Sequence, residues 1–165
     1  MPASPNPPSR WYEHKIPPPV IDFAVGAVMW VLARGVPSAQ LWPAQPWSVA
    51  TVVGLLIACA GGGIALSGAL AFSRARTTVN PLSPHRASAL VTTGIYRFTR
   101  NPMYLGMLLV LVGWGVYLGN AAAWLALPLF VWLLNILQIK AEERILRQRF
   151  GADFDRYAAR VRRWV

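Results

Sequence analysis

The sequence predicts an all-α integral membrane protein with about four transmembrane helices, a C-terminal helical hairpin and an amphipathic cytosolic tail helix. Three observations lead there. Hydrophobic residues make up 55% of the 165 and charged residues only 13%, which is too apolar for an ordinary soluble domain. No Lys, Arg, Asp or Glu occurs from Asn101 to Ile139 or from 35 to 73, and about 20 apolar residues suffice to cross the hydrocarbon core. Basic charge instead collects in two blocks, five residues between Arg74 and Arg100 and eight between Lys140 and Arg163.

The elements follow in order. Seven of the fourteen prolines fall in the first nineteen residues, with no apolar core of the kind a cleavable signal needs, so 1–15 read as a mobile lead. Residues 16–165 read as a single membrane domain. Its first span, 16–34, is interrupted by Asp22; an interfacial or re-entrant segment is the alternative. The second, 47–73, starts after Pro37, Pro43 and Pro46. It spaces Gly54, Ala58 and Gly62 four apart, a small-residue stripe that admits a close neighbour helix. Cys59, the single cysteine, excludes a disulfide within the chain and reads as a packing residue; no metal site is expected. The third and fourth spans, 103–118 and 121–139, form a hairpin turned at Gly119-Asn120.

Charge orients these spans. The 35–46 connection and the 119–120 turn carry no charge, so the positive-inside rule puts loop 74–102, tail 140–165 and both termini in the cytoplasm. The net charge of +10 thus belongs to segments beside membrane lipids, and no nucleic acid partner is expected. In the tail, Phe150, Phe154, Tyr157, Val161 and Trp164 recur at helical spacing among arginines. That stripe is expected along the interface with its aromatics among the headgroups; the alternative is a lid folded over a pocket.

The stretch GIYRFTRNPMYLG, 94–106, concentrates hydrogen-bonding chemistry at the mouth of the third span. Asn101 suits an N-cap and Pro102 the first helical position. The helix start with Arg97 and Arg100 also suits an anion, a carboxylate or a phosphate. Glu142 and Glu143 lie just past the fourth span, and a tight antiparallel hairpin returns its two outer ends to one side. The basic and acidic clusters are therefore expected to meet. Adjacent acids point about 100° apart on a helix, so one can face the pocket; Glu143 has a simple alternative partner in Arg147, four residues on.

Taken together, LVTTGIYRFTRNPMYLG at 90–106 and EERILRQRFGADFDRYAARVRRW at 142–164 resemble the isoprenylcysteine carboxyl methyltransferases and their relatives the phospholipid methyltransferases. The resemblance runs over roughly 77–164. It implies a small helical membrane enzyme that binds S-adenosylmethionine in a cytosol-facing pocket. Carried onto this chain, the implied cofactor-binding residues are Tyr96, Arg97, Arg100, Asn101, Pro102, Tyr104, Gly106, Glu142 and Glu143. The catalytic set is Arg100, Asn101, Tyr104, Glu142 and Glu143. The chemistry matches the ligand: Arg100 and the helix start suit its carboxylate, a glutamate its ammonium, and the Tyr104 ring its sulfonium. Tyr104 also suits an interfacial aromatic belt, and Gly94 and Gly106 a turn and close packing.

One position departs from the family: many members carry His where this chain has Asn101, which takes up no proton near neutral pH. His14 and His85 read as solvated surface residues. A lipophilic acceptor is expected, whether a prenylcysteine-like carboxylate, a phospholipid amine or a hydrophobic thiol, and the missing base favours one already ionised. Two other readings fit the same residues: a sterol-reductase-like membrane protein using NADPH, and a non-catalytic membrane protein of the same fold. The expected location is a bacterial cytoplasmic (inner) membrane with the site facing the cytoplasm.

Overall fold

The computed structural model describes residues 16–74 and 89–165. The lead 1–15 and the part of the basic loop at 75–88, with His14 and His85, lie outside the described residues.

Helix α1 runs Pro18–Gly35, with proline at its start, where a missing N–H costs no hydrogen bond. Helix α2 runs Val49–Arg74 and α3 Pro102–Leu118. A nearly unbroken helical run then extends from a 3-10 turn at Ala121–Leu125 through α4, Ala126–Leu134, a π-turn at Asn135–Ile139, and α5, Lys140–Phe150. Helix α6, Ala152–Arg160, follows a break at Gly151. Among the described residues there is no strand, only an isolated bridge between Gln40 and Asn120.

By length and composition, α1, α2 and the Ala121–Phe150 run are each long and apolar enough to cross a membrane. The apolar part of that last run is 121–139; from Lys140 onward it is charged and projects beyond the crossing. Helix α3 has 17 residues, about 26 Å at the helical rise, which is at the short end for a crossing. Asp22 does not break α1; its carboxyl is turned inward, with Oδ1 buried.

Helices α2 and α3 lie antiparallel in the most extensive contact of the fold. The seam is made by Gly54, Gly61 and Gly68, seven apart, with Ala58 also against Gly113; of the expected stripe Gly54, Ala58 and Gly62, it is Gly62 that lies off the contact. A Cβ on Gly61 would sit 2.5 Å from the Gly106 carbonyl oxygen, and one on Gly54 2.6 Å from that of Gly113. Gly62 instead faces open space. A spacing of seven keeps one face turned to a neighbour over several turns, whereas steps of four drift around the helix. Helix α1 closes the other side, packing Ile21, Val25 and Met29 against Leu111, Phe130 and Leu134.

The end of the bundle away from the charged loop is stitched by Asn120. Its Nδ2 donates to the carbonyls of Ala33 and Val36, at 3.2 and 3.0 Å, and its Oδ1 accepts from Ala122 N at 2.9 Å. Gly119 precedes it at φ +62°, the left-handed conformation a turn of this kind requires. The other end gathers the start of α3, helices α5 and α6, and the C-terminal segment.

The tail aromatics do not lie among headgroups. Phe154 and Tyr157 are buried with Val91 and Tyr96, flanked by Phe72, Leu146 and Val161. The apolar stripe folds onto the 90–97 segment because those side chains offer it a dry partner: the Phe72 and Tyr96 rings meet edge to face with centroids 5.3 Å apart, and the Tyr157 hydroxyl donates to the Tyr96 carbonyl at 2.8 Å.

Candidate active site

The segment before α3 is shaped by its own backbone. A 3-10 turn at Gly94–Arg97 leads into Thr99, whose Oγ1 accepts from Asn101 N at 3.2 Å. Asn101 stands at the N-cap position with Pro102 next, as expected, but its side chain makes no cap. Its Nδ2 donates to the Arg163 carbonyl at 2.8 Å. The same C-terminal strap accepts a second bond, from Arg100 N to the Arg162 carbonyl at 3.0 Å. A tertiary contact has thus taken the amide that local sequence assigns to the helix start.

These bonds seat the strap between the two polar clusters, which meet. Arg100 Nη2 lies 2.7 Å from Glu143 Oε1, and both side chains are about 15% exposed. Arg163 grips the same carboxylate with two nitrogens, Nε at 3.0 Å and Nη2 at 2.6 Å. Its Nη1 reaches Asn135 Oδ1 at 3.4 Å. Arg100 spends Nη1 on the Ala158 carbonyl at 2.9 Å, while its Nε is buried with no hydrogen-bond partner among the described residues. Beside this triad the Tyr104 hydroxyl, on the first turn of α3, donates to Glu142.

The two glutamates are therefore in different electrostatic states. Burial works against the Glu143 carboxylate, but hydrogen bonds from Arg163 and the charges of Arg100 and Arg163 outweigh it and hold Glu143 below its usual range. Burial pushes Glu142 up to about 7; the Tyr104 hydrogen bond pulls the other way and the Glu143 charge adds to the rise. One carboxylate is locked in an ion-pair network, and the other is poised near neutrality against a neutral hydroxyl. The simple pairing of Glu143 with Arg147 does not form: Arg147 lies 2.7 Å from Asp155 on α6.

Of the residues singled out from sequence, the fold brings Arg100, Asn101, Tyr104, Glu142 and Glu143 together. Tyr96 is buried beneath them against Phe72 and Tyr157. Pro102 packs on α2 at Gly68, and Gly106 lies in the glycine seam against Gly61. Arg97 is exposed at the end of the 3-10 turn. Sequence reasoning missed Arg163, Asn135 and Thr99 as members of the cluster. Arg163 was visible only as one more arginine of the basic tail.

A groove of about 540 Å³ opens between α3 and α4, lined by Leu108 and Val112 on one side and Pro128, Val131 and Trp132 on the other. It ends at Asn135, the residue that touches Arg163. The polar cluster and an apolar, membrane-depth groove thus share a boundary. Among the described residues no group of His, Cys, Asp and Glu could hold a metal ion.

Residues 49–153 match the family described as phospholipid methyltransferase. The chain is 31% identical over 137 residues to a probable protein-S-isoprenylcysteine O-methyltransferase of Oryza sativa subsp. japonica, covering 82% of this chain and 71% of that protein. It is 32% identical over 117 residues to protein-S-isoprenylcysteine O-methyltransferase A of Arabidopsis thaliana, covering 71% and 59%. A 63-residue stretch is 44% identical to an uncharacterized protein of Haemophilus influenzae, covering 38% of this chain and all of that one. No solved structure matches significantly.

Proposed function

From the premise that the chain belongs to the phospholipid methyltransferase family and is an integral membrane methyltransferase, we propose that it uses S-adenosylmethionine to methylate a lipophilic acceptor at the cytosolic surface of a bacterial inner membrane. The family implies a methyl donor and a lipophilic substrate, and it does not favour a reductase. The observation that carries the finer reading is the meeting of opposite charges at one end of the α3–α4 hairpin, from segments 43 residues apart.

A zwitterionic donor fits that arrangement. Arg100 Nε is a buried donor in want of an acceptor, and leaving it unmade is costly; the donor's carboxylate supplies one. The N–H groups of Met103 and Tyr104 precede the first intrahelical bond of α3, from Leu105 N to the Asn101 carbonyl, and face the same anion. Glu142, met by a neutral hydroxyl, suits the ammonium. Glu143 is held by two arginines and serves to position Arg100. Tyr104 has its hydroxyl on Glu142, and its ring, packed in the buried core, is the aromatic group offered to the sulfonium. When bound, S-adenosylmethionine supplies an electrophilic methyl group, which a nucleophile takes by in-line displacement as the thioether leaves.

The protein's part is then orientation and exclusion of water. The groove between α3 and α4 takes the acceptor's apolar tail from the bilayer and delivers its polar end beside the donor. No histidine stands among the described residues, Glu143 is locked, and Glu142 is assigned to the ammonium. A nucleophile that is already ionised needs no base, which favours a carboxylate such as the isoprenylcysteine in the relatives' names. Radiolabelled methyl transfer to isoprenylcysteine, a phospholipid amine and an isoprenyl thiol, followed from about pH 6 to about pH 9, tests this. With S-adenosylmethionine saturating at every pH, the carboxylate should react at a nearly constant rate, whereas a thiol or amine speeds up as it deprotonates. Methylation confined to hydrophilic acceptors lacking a tail would contradict lateral access.

A further inference from the structure

The groove between α3 and α4 is apolar along its length, and its one amide is Asn135, where it meets the charged cluster. Asn135 also opens the π-turn Asn135–Ile139, a wide turn of the kind that often marks a functional position in a helix. Its Nδ2 is fixed on the Val131 carbonyl at 2.8 Å. That bond sets the amide's orientation and leaves Oδ1 toward Arg163.

Arg163 divides its nitrogens unequally. Nε and Nη2 hold Glu143 at 3.0 and 2.6 Å, while Nη1 reaches Asn135 at 3.4 Å, at the weak limit for a hydrogen bond. Two guanidinium groups, those of Arg100 and Arg163, share the single carboxylate of Glu143. The triad therefore carries one surplus positive charge, and Nη1 is the edge of it that touches Asn135, the polar residue of the groove lining.

We propose that Asn135 and Arg163 select the acceptor by the charge of its headgroup: Arg163 Nη1 takes an anionic oxygen at the end of the groove, and Asn135 holds that nitrogen in place. This rests on the methyltransferase reading. Nη1 carries two N–H groups, so an anion adds a shorter, charge-assisted contact beside the 3.4 Å one to the neutral amide. A cationic headgroup in the same place meets the surplus charge and is rejected, a case of selection by repulsion. Arg163 is on this account a binding residue for the acceptor, and Asn135 a positioning residue.

The test uses the full-length protein in detergent and three probes with one isoprenyl tail: an N-acylated isoprenylcysteine, an isoprenyl amine and an isoprenyl thiol. In Asn135→Asp a carboxylate occupies Nη1 and cancels the surplus charge. The KM for the isoprenylcysteine should rise about tenfold or more, with kcat within about threefold and S-adenosylhomocysteine affinity as in the parent, and preference should move toward the amine. Asn135→Ala adds no charge, so it keeps the test open if the aspartate variant does not fold; its KM for the isoprenylcysteine should rise without any gain for the amine. If both variants keep the parent's KM and order of preference, the proposal is overturned. It is also overturned if both lose S-adenosylhomocysteine binding, because the residue then supports the donor site. A parent that binds no S-adenosylhomocysteine at all would sink the donor reading first, and this proposal with it.

Discussion

Arg100 and Glu143 lie 2.7 Å apart although 43 residues separate them, and that contact closes the α3–α5 end of the bundle around the candidate donor site. Arg163 completes it from the C-terminal strap, so three segments distant in sequence depend on one carboxylate.

The first expectation concerns that carboxylate and its partner. Arg100→Ala should weaken S-adenosylhomocysteine binding by some 30-fold to several-thousand-fold, the equivalent of about 2–5 kcal/mol for removing one partner of a desolvated charged contact. Glu143→Ala leaves two guanidinium groups facing each other. It should lower thermal stability in detergent by about 3–5 kcal/mol, as breaking a buried ion pair does. Binding by Arg100→Ala equal to the parent's would remove Arg100 from the donor site.

Glu142 gives a pH dependence. Burial first, with the Glu143 charge behind it, raises this carboxyl from 4.5 to about 7 in the folded protein. An ammonium pairs with the carboxylate form, so S-adenosylhomocysteine affinity should rise as pH passes upward through about 7, and Glu142→Gln should flatten the profile. The unliganded protein should behave in the opposite sense. A raised carboxyl means the folded state holds its proton more tightly, so this contribution to stability is lost between about pH 4.5 and about pH 7 and is constant above. Titrations and thermal melts of parent and variant across that window check both signs.

Much of this was legible in the sequence, and what was not has physical causes. The charge-free stretches, the Gly119-Asn120 turn and the approach of Arg100 to the paired glutamates all follow from local composition and hairpin geometry. The register of the seam does not. Gly61, Gly62 and Gly63 are chemically identical in sequence, and only packing against Gly106 selects Gly61. The role of Arg163 was hidden because the seven tail arginines look alike until the strap bonds to Asn101 and Arg100 fix which one turns inward. Of the aromatic stripe, Phe150, Phe154, Tyr157 and Val161 share one cluster, whereas Trp164, beyond the end of α6, packs with the other; the partner of the first four, the Tyr96 region, could not be told from a headgroup layer by periodicity alone.

The seam itself can be tested by pairing neighbours. Gly61→Ala puts a methyl group 2.5 Å from backbone oxygen and should cost about 1–3 kcal/mol in detergent through forced separation of α2 and α3. Gly62→Ala, in open space, should stay within about 0.5 kcal/mol of the parent. Equal effects would mean that the glycine seam is not the contact holding these helices.

Topology follows from charge. Reporter fusions after Val165 should give cytoplasmic signal, and fusions within 35–46 should give signal from the opposite side. Cytoplasmic signal from the 35–46 fusion would overturn the four-span arrangement.

The most direct measurement is isothermal titration of the detergent-purified protein with S-adenosylhomocysteine, set beside NADPH. Saturable binding of S-adenosylhomocysteine, lost in Arg100→Ala, with no binding of NADPH, is the expected result. Binding of NADPH alone, or of neither ligand by a folded protein, would contradict the assignment of this charged hairpin end as a methyl-donor site.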